Sequence, residues 1–233
     1  SILEGAFPGE IVRPVTWSKD RKKVVISVSS SSNPGDYYYF DKENMILTFL
    51  WDSSPWIDRS KLAKKEAIKY TARDGLVVHG YLTIPLGTDG KNLPMVVHPH
   101  GGPNARDTMR YDSYVQFMAN RGYVVFQPNF RGSTGYGAYH YISANKQFGK
   151  TMQDDITDGV NYLIDLGIAD PDRIAIFGGS YGGYATMAGL AFTPDLYAAG
   201  INYVGVVDLE LLQEDSNRNS RRFGGFYDEL RLE

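Results

Sequence analysis

The 233-residue sequence contains no cysteine. That excludes disulfides and thiolate zinc sites, and it fits a reducing compartment, which inclines the reading toward a cytoplasmic protein. Histidine is scarce, with four residues at positions 79, 98, 100 and 140. His98 and His100 are close in sequence, but no carboxylate cluster accompanies them, so neither a metal site nor a cofactor is expected. No apolar run approaches the ~18 residues of a transmembrane helix. Residues 1–10 lack the basic and apolar regions of a signal peptide. An excess of positive charge is also missing. The formal net charge is -3 and the pI is about 5.8, so nucleic acids and anionic membrane surfaces are set aside as partners.

What is present is a β-rich beginning and an alternating remainder. Hydrophobic residues make up 42% of the chain, enough for a core, and 17 residues are tyrosine, a composition common in propellers and sandwiches. Residues 22–29 (KKVVISVS), 36–40 (DYYYF) and 45–50 (MILTFL) read as three short strands. The turn signals Ser31-Ser32-Asn33-Pro34-Gly35 and Asp41-Lys42-Glu43-Asn44 separate them. Such a meander resembles one blade of a propeller. Residues 53–69 read as a linker, in which the charged stretch 61–69 is expected to be helical. After residue 70, strands at 77–85, 95–98, 123–127, 173–177 and 200–207 alternate with helical spacing at 111–118, 156–164 and 184–192. Strands separated by crossover helices imply a mainly parallel, doubly wound α/β sheet covered on both faces. The expected domains are therefore 1–52, a linker at 53–69, and 70–233.

Gly178-Gly179-Ser180-Tyr181-Gly182 fits G-x-S-x-G. That pattern builds a strained strand-to-helix turn which exposes a nucleophilic hydroxyl at the sheet's edge. The strand-like RIAIF precedes it and a small-residue helix follows, which is the context the motif requires. Pro99-His100-Gly101-Gly102-Pro103 follows an earlier strand. An H-G-G loop there supplies one backbone N–H to an oxyanion hole, and the residue after the nucleophile, Tyr181, supplies the other. Arg131, in the loop NFRGSTGYG at 129–137, could contact substrate but more often such an arginine ties its loop to the body. In this fold the triad runs serine, acid, histidine along the chain. All four histidines precede Ser180, and 53 residues follow it. Asp208 is a candidate acid, one strand earlier than usual.

Together HGGP (100–103), NFRGSTGYG (129–137), DRIAIFGGSYGGY (172–184) and SSNPGDYYYFD (31–41) resemble the prolyl oligopeptidase family of serine peptidases. The nearest likeness is to the acylaminoacyl-peptidase and dipeptidyl-aminopeptidase branch. The resemblance implies an α/β-hydrolase domain preceded by part of a β-propeller, with short peptides as substrates. It implies Ser180 as catalytic nucleophile and the Gly102 and Tyr181 N–H groups as oxyanion hole. The chain is accordingly read as a fragment that lacks the triad acid and histidine and is inactive alone. Its truncated sheet would leave an edge at 200–207, through which homo-oligomers could form. An esterase on the same fold and a non-catalytic relative are the alternatives.

Overall fold

The computed structural model describes residues 2–212 and 214. A one-turn helix α1 (Ile2–Ala6) leads into four antiparallel strands, β1 (Ile11–Trp17), β2 (Lys23–Ser30), β3 (Asn33–Asp41) and β4 (Ile46–Asp52), paired in sequence order. Alternation in β2 puts Val24, Ile26 and Val28 on one face, each 1% exposed, where they meet Phe40. The sequence reading had three strands here. The fourth, β1, was missed because Pro14 interrupts its pattern. Pro14 sits beside a register shift on an edge strand, the setting in which a sheet tolerates proline. The turn before β3 is also shorter than expected. Ser30 already pairs with Asn33, and Asn33-Pro34-Gly35 belong to the strand.

The second sheet has the order β10-β9-β7-β8-β6-β5. Its strands are β5 (Lys65–Thr71), β6 (Val77–Thr83), β7 (Leu93–Val97), β8 (Val124–Asn129), β9 (Ala169–Gly179) and β10 (Ala199–Tyr203). The β5–β6 and β6–β8 pairs are antiparallel, and the three remaining pairs are parallel. The stretch 61–69, read as helical, is instead the end of a 3-10 turn and the start of β5. Ile68 and Tyr70 two residues apart face the core, so the period there is 2 and the lysines misled the helical reading. The sheet thus begins inside the segment expected to link.

The helices of this half include α2 (Ser113–Ala119), α3 (Ala138–Ile142), α4 (Thr151–Asp165) and α5 (Tyr181–Phe192), and residues 209–212 are helical as well. The α4 stripe of Met152, Ile156, Val160 and Leu163 is fully buried with Phe126, Met95, Val97, Ile174 and Ile176 of the strands. On the opposite face, Val115 and Ala119 of α2 pack with Ala63 on Val125. The antiparallel sheet is joined to this body through Gln116. Its Nε2 donates to the Ser31 and Ala63 carbonyls, at 2.9 and 2.7 Å, and its Oε1 accepts from the Ala63 N–H. The strand expected at 200–207 ends at Tyr203, and among the described residues it forms the sheet's edge and pairs with β9 alone.

Candidate active site

Three loops leave the parallel strands at one edge of the sheet: 98–112 after β7, 130–137 after β8, and the β9–α5 turn. Ser180 forms that last turn. Its φ is 55° and its ψ is -119°, a backbone region that a side-chain-bearing residue adopts only when its surroundings impose it. The surroundings do so through close approach. A Cβ on Gly182 would collide with the Pro99 carbonyl oxygen, and one on Gly178 with the Gly182 backbone. The Ser180 N–H donates to the Tyr203 carbonyl at 3.0 Å, and its own carbonyl accepts from Tyr184 N–H at 3.1 Å. The side chain makes no capping bond to α5, and the residue is exposed.

The loop 98–112 passes directly beside it. A Cβ built on Gly101 would stand 3.4 Å from Ser180 Cβ and 3.1 Å from the Gly179 oxygen. Gly102 is exposed with φ +126°, a conformation reserved for glycine. Tyr181 is the first residue of α5, so its N–H has no acceptor within the helix. Its ring, by contrast, is buried among Phe130, Phe148 and Tyr184, and burial pushes its phenol well above the usual tyrosine range. Tyr181 therefore offers the site its backbone.

The four histidines are occupied elsewhere. His100 Nδ1 lies 2.7 Å from the Gly101 carbonyl, an acceptor, so that nitrogen carries the proton. Nε2 is then the lone pair that accepts from the Ser133 hydroxyl at 2.8 Å. The ring stacks on Phe130, and burial pushes its pKa down to about 4. His98 Nδ1 donates to the Phe177 carbonyl and His140 Nε2 to the Asn129 and Phe130 carbonyls. His79 stacks on Tyr136. None of the hydrogen bonds formed by these rings goes to Ser180, and no group of side chains suited to a metal occurs among the described residues. Asp208 caps a following turn through the Leu211 N–H.

Arg131 is a structural anchor. Its guanidinium and N–H make three bonds to Asp155, at 2.6 to 2.8 Å, and Nη1 reaches Asp74 at 2.7 Å. The Arg131 side chain is 6% exposed and Asp155 is fully buried. Burial pushes the Asp155 carboxyl up, and the three bonds from Arg131 oppose that shift. On the arginine, burial opposes the charge, but the bonds to both carboxylates outweigh it and raise its pKa. Asp155 was missed in the sequence. The available signal was its place on the buried α4 stripe, three residues from Met152, where a carboxylate requires a buried partner.

A strand, a glycine-flanked serine in a strained turn, and a glycine-rich loop against it are now in place. The model of the family described as "Prolyl oligopeptidase family" matches residues 109–228, just over half of the chain. The chain belongs to the prolyl oligopeptidase family. Dipeptidyl aminopeptidase BIII of Pseudoxanthomonas mexicana is 38% identical over 217 residues, covering 90% of this chain and 31% of that protein. Among solved structures, a puromycin-hydrolyzing peptidase of Mycobacterium tuberculosis superposes with a TM-score of 0.75 at 27% identity, covering 91% of this chain and 35% of that one. The acylaminoacyl peptidase of Pyrococcus horikoshii gives 0.71 at 27% identity, over 83% and 31%. The chain spans about a third of the length of the curated relatives it matches. For this member of the prolyl oligopeptidase family, the mainly parallel sheet with its helices is the α/β-hydrolase part, and the four-stranded meander is propeller-type sheet.

Proposed function

We propose that these residues carry the nucleophile and oxyanion hole of a serine peptidase that cleaves short peptides through an acyl-enzyme. The observation that carries this reading is the exposed Ser180 at φ 55° with Gly101 packed against it. In the reading, Ser180 Oγ attacks the scissile carbonyl carbon while its proton passes to a base. The Tyr181 and Gly102 N–H groups stabilise the resulting oxyanion, a contribution worth roughly 10²–10³ in rate per donor. Collapse expels the amine, which takes the proton, and leaves the acyl group on Oγ for water to remove.

The base and its orienting acid are not supplied by the four histidines, whose bonds lead away from Ser180. On this reading an imidazole comes from outside these 233 residues, in a longer polypeptide or a second chain, and the 233-residue chain alone does not turn over substrate. Arg131 has its donors committed to Asp155 and Asp74 and serves the loop rather than the substrate. The test uses dipeptidyl and acylaminoacyl anilides with a longer polypeptide that carries these residues. Hydrolysis that disappears in Ser180→Ala supports the reading. Hydrolysis that survives the substitution overturns it.

A further inference from the structure

The turn facing Ser180 belongs to a loop of 15 residues, 98–112, without regular structure. A loop of that length keeps an atom position only if something fixes it. The fixing group lies five residues beyond Gly102, at Asp107. The Asp107 N–H donates to Asn129 Oδ1 at 2.8 Å, and Asn129 Nδ2 donates back to the Asp107 carbonyl at 3.2 Å. The Asp107 carboxylate accepts from Gln127 Nε2 at 2.8 Å. Both partners stand on β8, with Gln127 1% and Asn129 fully buried. The next residue is held too, since Lys65 Nζ donates to the Thr108 carbonyl at 3.0 Å. Between anchor and turn, Ala105 accepts from the Thr134 N–H and Asn104 donates to the Gly132 carbonyl.

A half-buried acid with one carboxyl oxygen enclosed is a costly way to hold a loop unless its placement matters. Asp107 Oδ2 and Gln127 Oε1 are both enclosed without a partner among the described residues. A carboxylate beside an amide leaves two acceptors facing unpaired. A protonated acid, or an asparagine in its place, can donate to the amide oxygen while still accepting from its N–H. We propose that Asp107 is a positioning residue, whose carboxyl bond to Gln127, added to the backbone bonds with Asn129 that any residue there would keep, seats the Gly101–Gly102 turn against Ser180. This rests on the reading of Ser180 as nucleophile, but the placement of the turn can be measured without it. Burial pushes the Asp107 carboxyl up to about 7, opposed by the Lys65 ammonium and reinforced by Asp112. Tyr81 of β6 and His98 after β7 also face this ammonium, and β8 contributes the amides.

The experiment compares Asp107→Ala and Asp107→Asn with the unsubstituted protein. Amide hydrogen exchange on the 233-residue chain reads the turn directly. The proposal expects residues 100–105 to exchange at least tenfold faster in D107A, with protection of β8 and β9 unchanged, and to stay within threefold in D107N. In a longer polypeptide with peptidase activity, D107A is expected to lower kcat at least 30-fold with KM within threefold, and D107N to restore it and to remove a pH inflection near 7. Unchanged exchange of the turn in D107A overturns the proposal, as does D107N loosening the turn as much as D107A. If the unsubstituted polypeptide is itself unreactive while the turn loosens in D107A, the proposed peptidase function fails and the positioning claim stands.

Discussion

Removing Asp155 tests how the edge loops are held. The Asp155→Ala substitution deletes three of the four bonds that Arg131 makes through its side chain and N–H. The guanidinium, 6% exposed, then faces Asp74 alone, and that partner is 41% exposed. Leaving one member of a buried ion pair uncompensated costs about 3–5 kcal/mol. For a chain of 150–250 residues, 1 kcal/mol corresponds to roughly 2–4 °C, so the midpoint should fall by about 10 °C. The Asp74 arm is largely in water, so Asp74→Ala should cost no more than about 1 kcal/mol. Replacing the pair together, Arg131→Met with Asp155→Leu, removes both charges and should recover most of the loss. Urea unfolding of the unsubstituted chain, Arg131→Met, Asp155→Leu and the double variant, closed as a double-mutant cycle, gives the coupling directly. A folded D155A within about 1 kcal/mol of the unsubstituted chain would refute the anchoring argument.

Two further outcomes follow from the same geometry. His100 is held near 4 by burial, whereas an unfolded histidine titrates near ~6.5. The folded chain therefore binds fewer protons between these values, and stability is lost as pH falls from about 6.5 toward about 4. Between pH 7 and 4.5 the unsubstituted chain should lose about 2 kcal/mol more than His100→Gln, and equal losses in urea titrations would contradict the buried, Nδ1-protonated ring. The β10 edge, with Ala199–Tyr203 all exposed and Ile201 61% exposed, is proposed to drive self-association. Light scattering should show oligomers that Ile201→Lys disperses, and a clean monomer at high concentration would rule this out.

The sequence made the strand-turn-helix at Ser180 readable because three constraints coincide there: an apolar run, flanking glycines and small helix residues. The HGGP loop was readable for a similar reason, since its glycines mark a backbone that must come close to something. That it approaches Ser180 was read from the pairing of the two motifs, while the packing of Gly101 on Ser180 is set by the sheet order and not by spacing. Lys65 misled the reading of β5. A lysine counts as a helix-friendly surface residue in sequence, yet here it is 5% exposed because the Thr108 carbonyl and the Tyr81 ring receive its ammonium. The partners of Asp107 and Asp155 were not readable for the same reason, since each lies more than 19 positions away, although the α4 stripe marked Asp155 as needing one. The hydrogen-bond partners of His98, His100 and His140 were not readable from chain order, because the packing of the loops sets them.

The central claim is that Ser180 is the nucleophile and that its base lies outside these residues. A fluorophosphonate probe tests it in one measurement, because it reacts only with a serine whose proton is taken up by a base. The 233-residue chain and a longer polypeptide carrying it are incubated with the probe, and the modified peptide is located by mass spectrometry. The account predicts adduct on Ser180 in the longer polypeptide, none in its Ser180→Ala variant, and none in the 233-residue chain. Adduct on another serine of the longer polypeptide, or adduct on Ser180 of the isolated 233-residue chain, would contradict it.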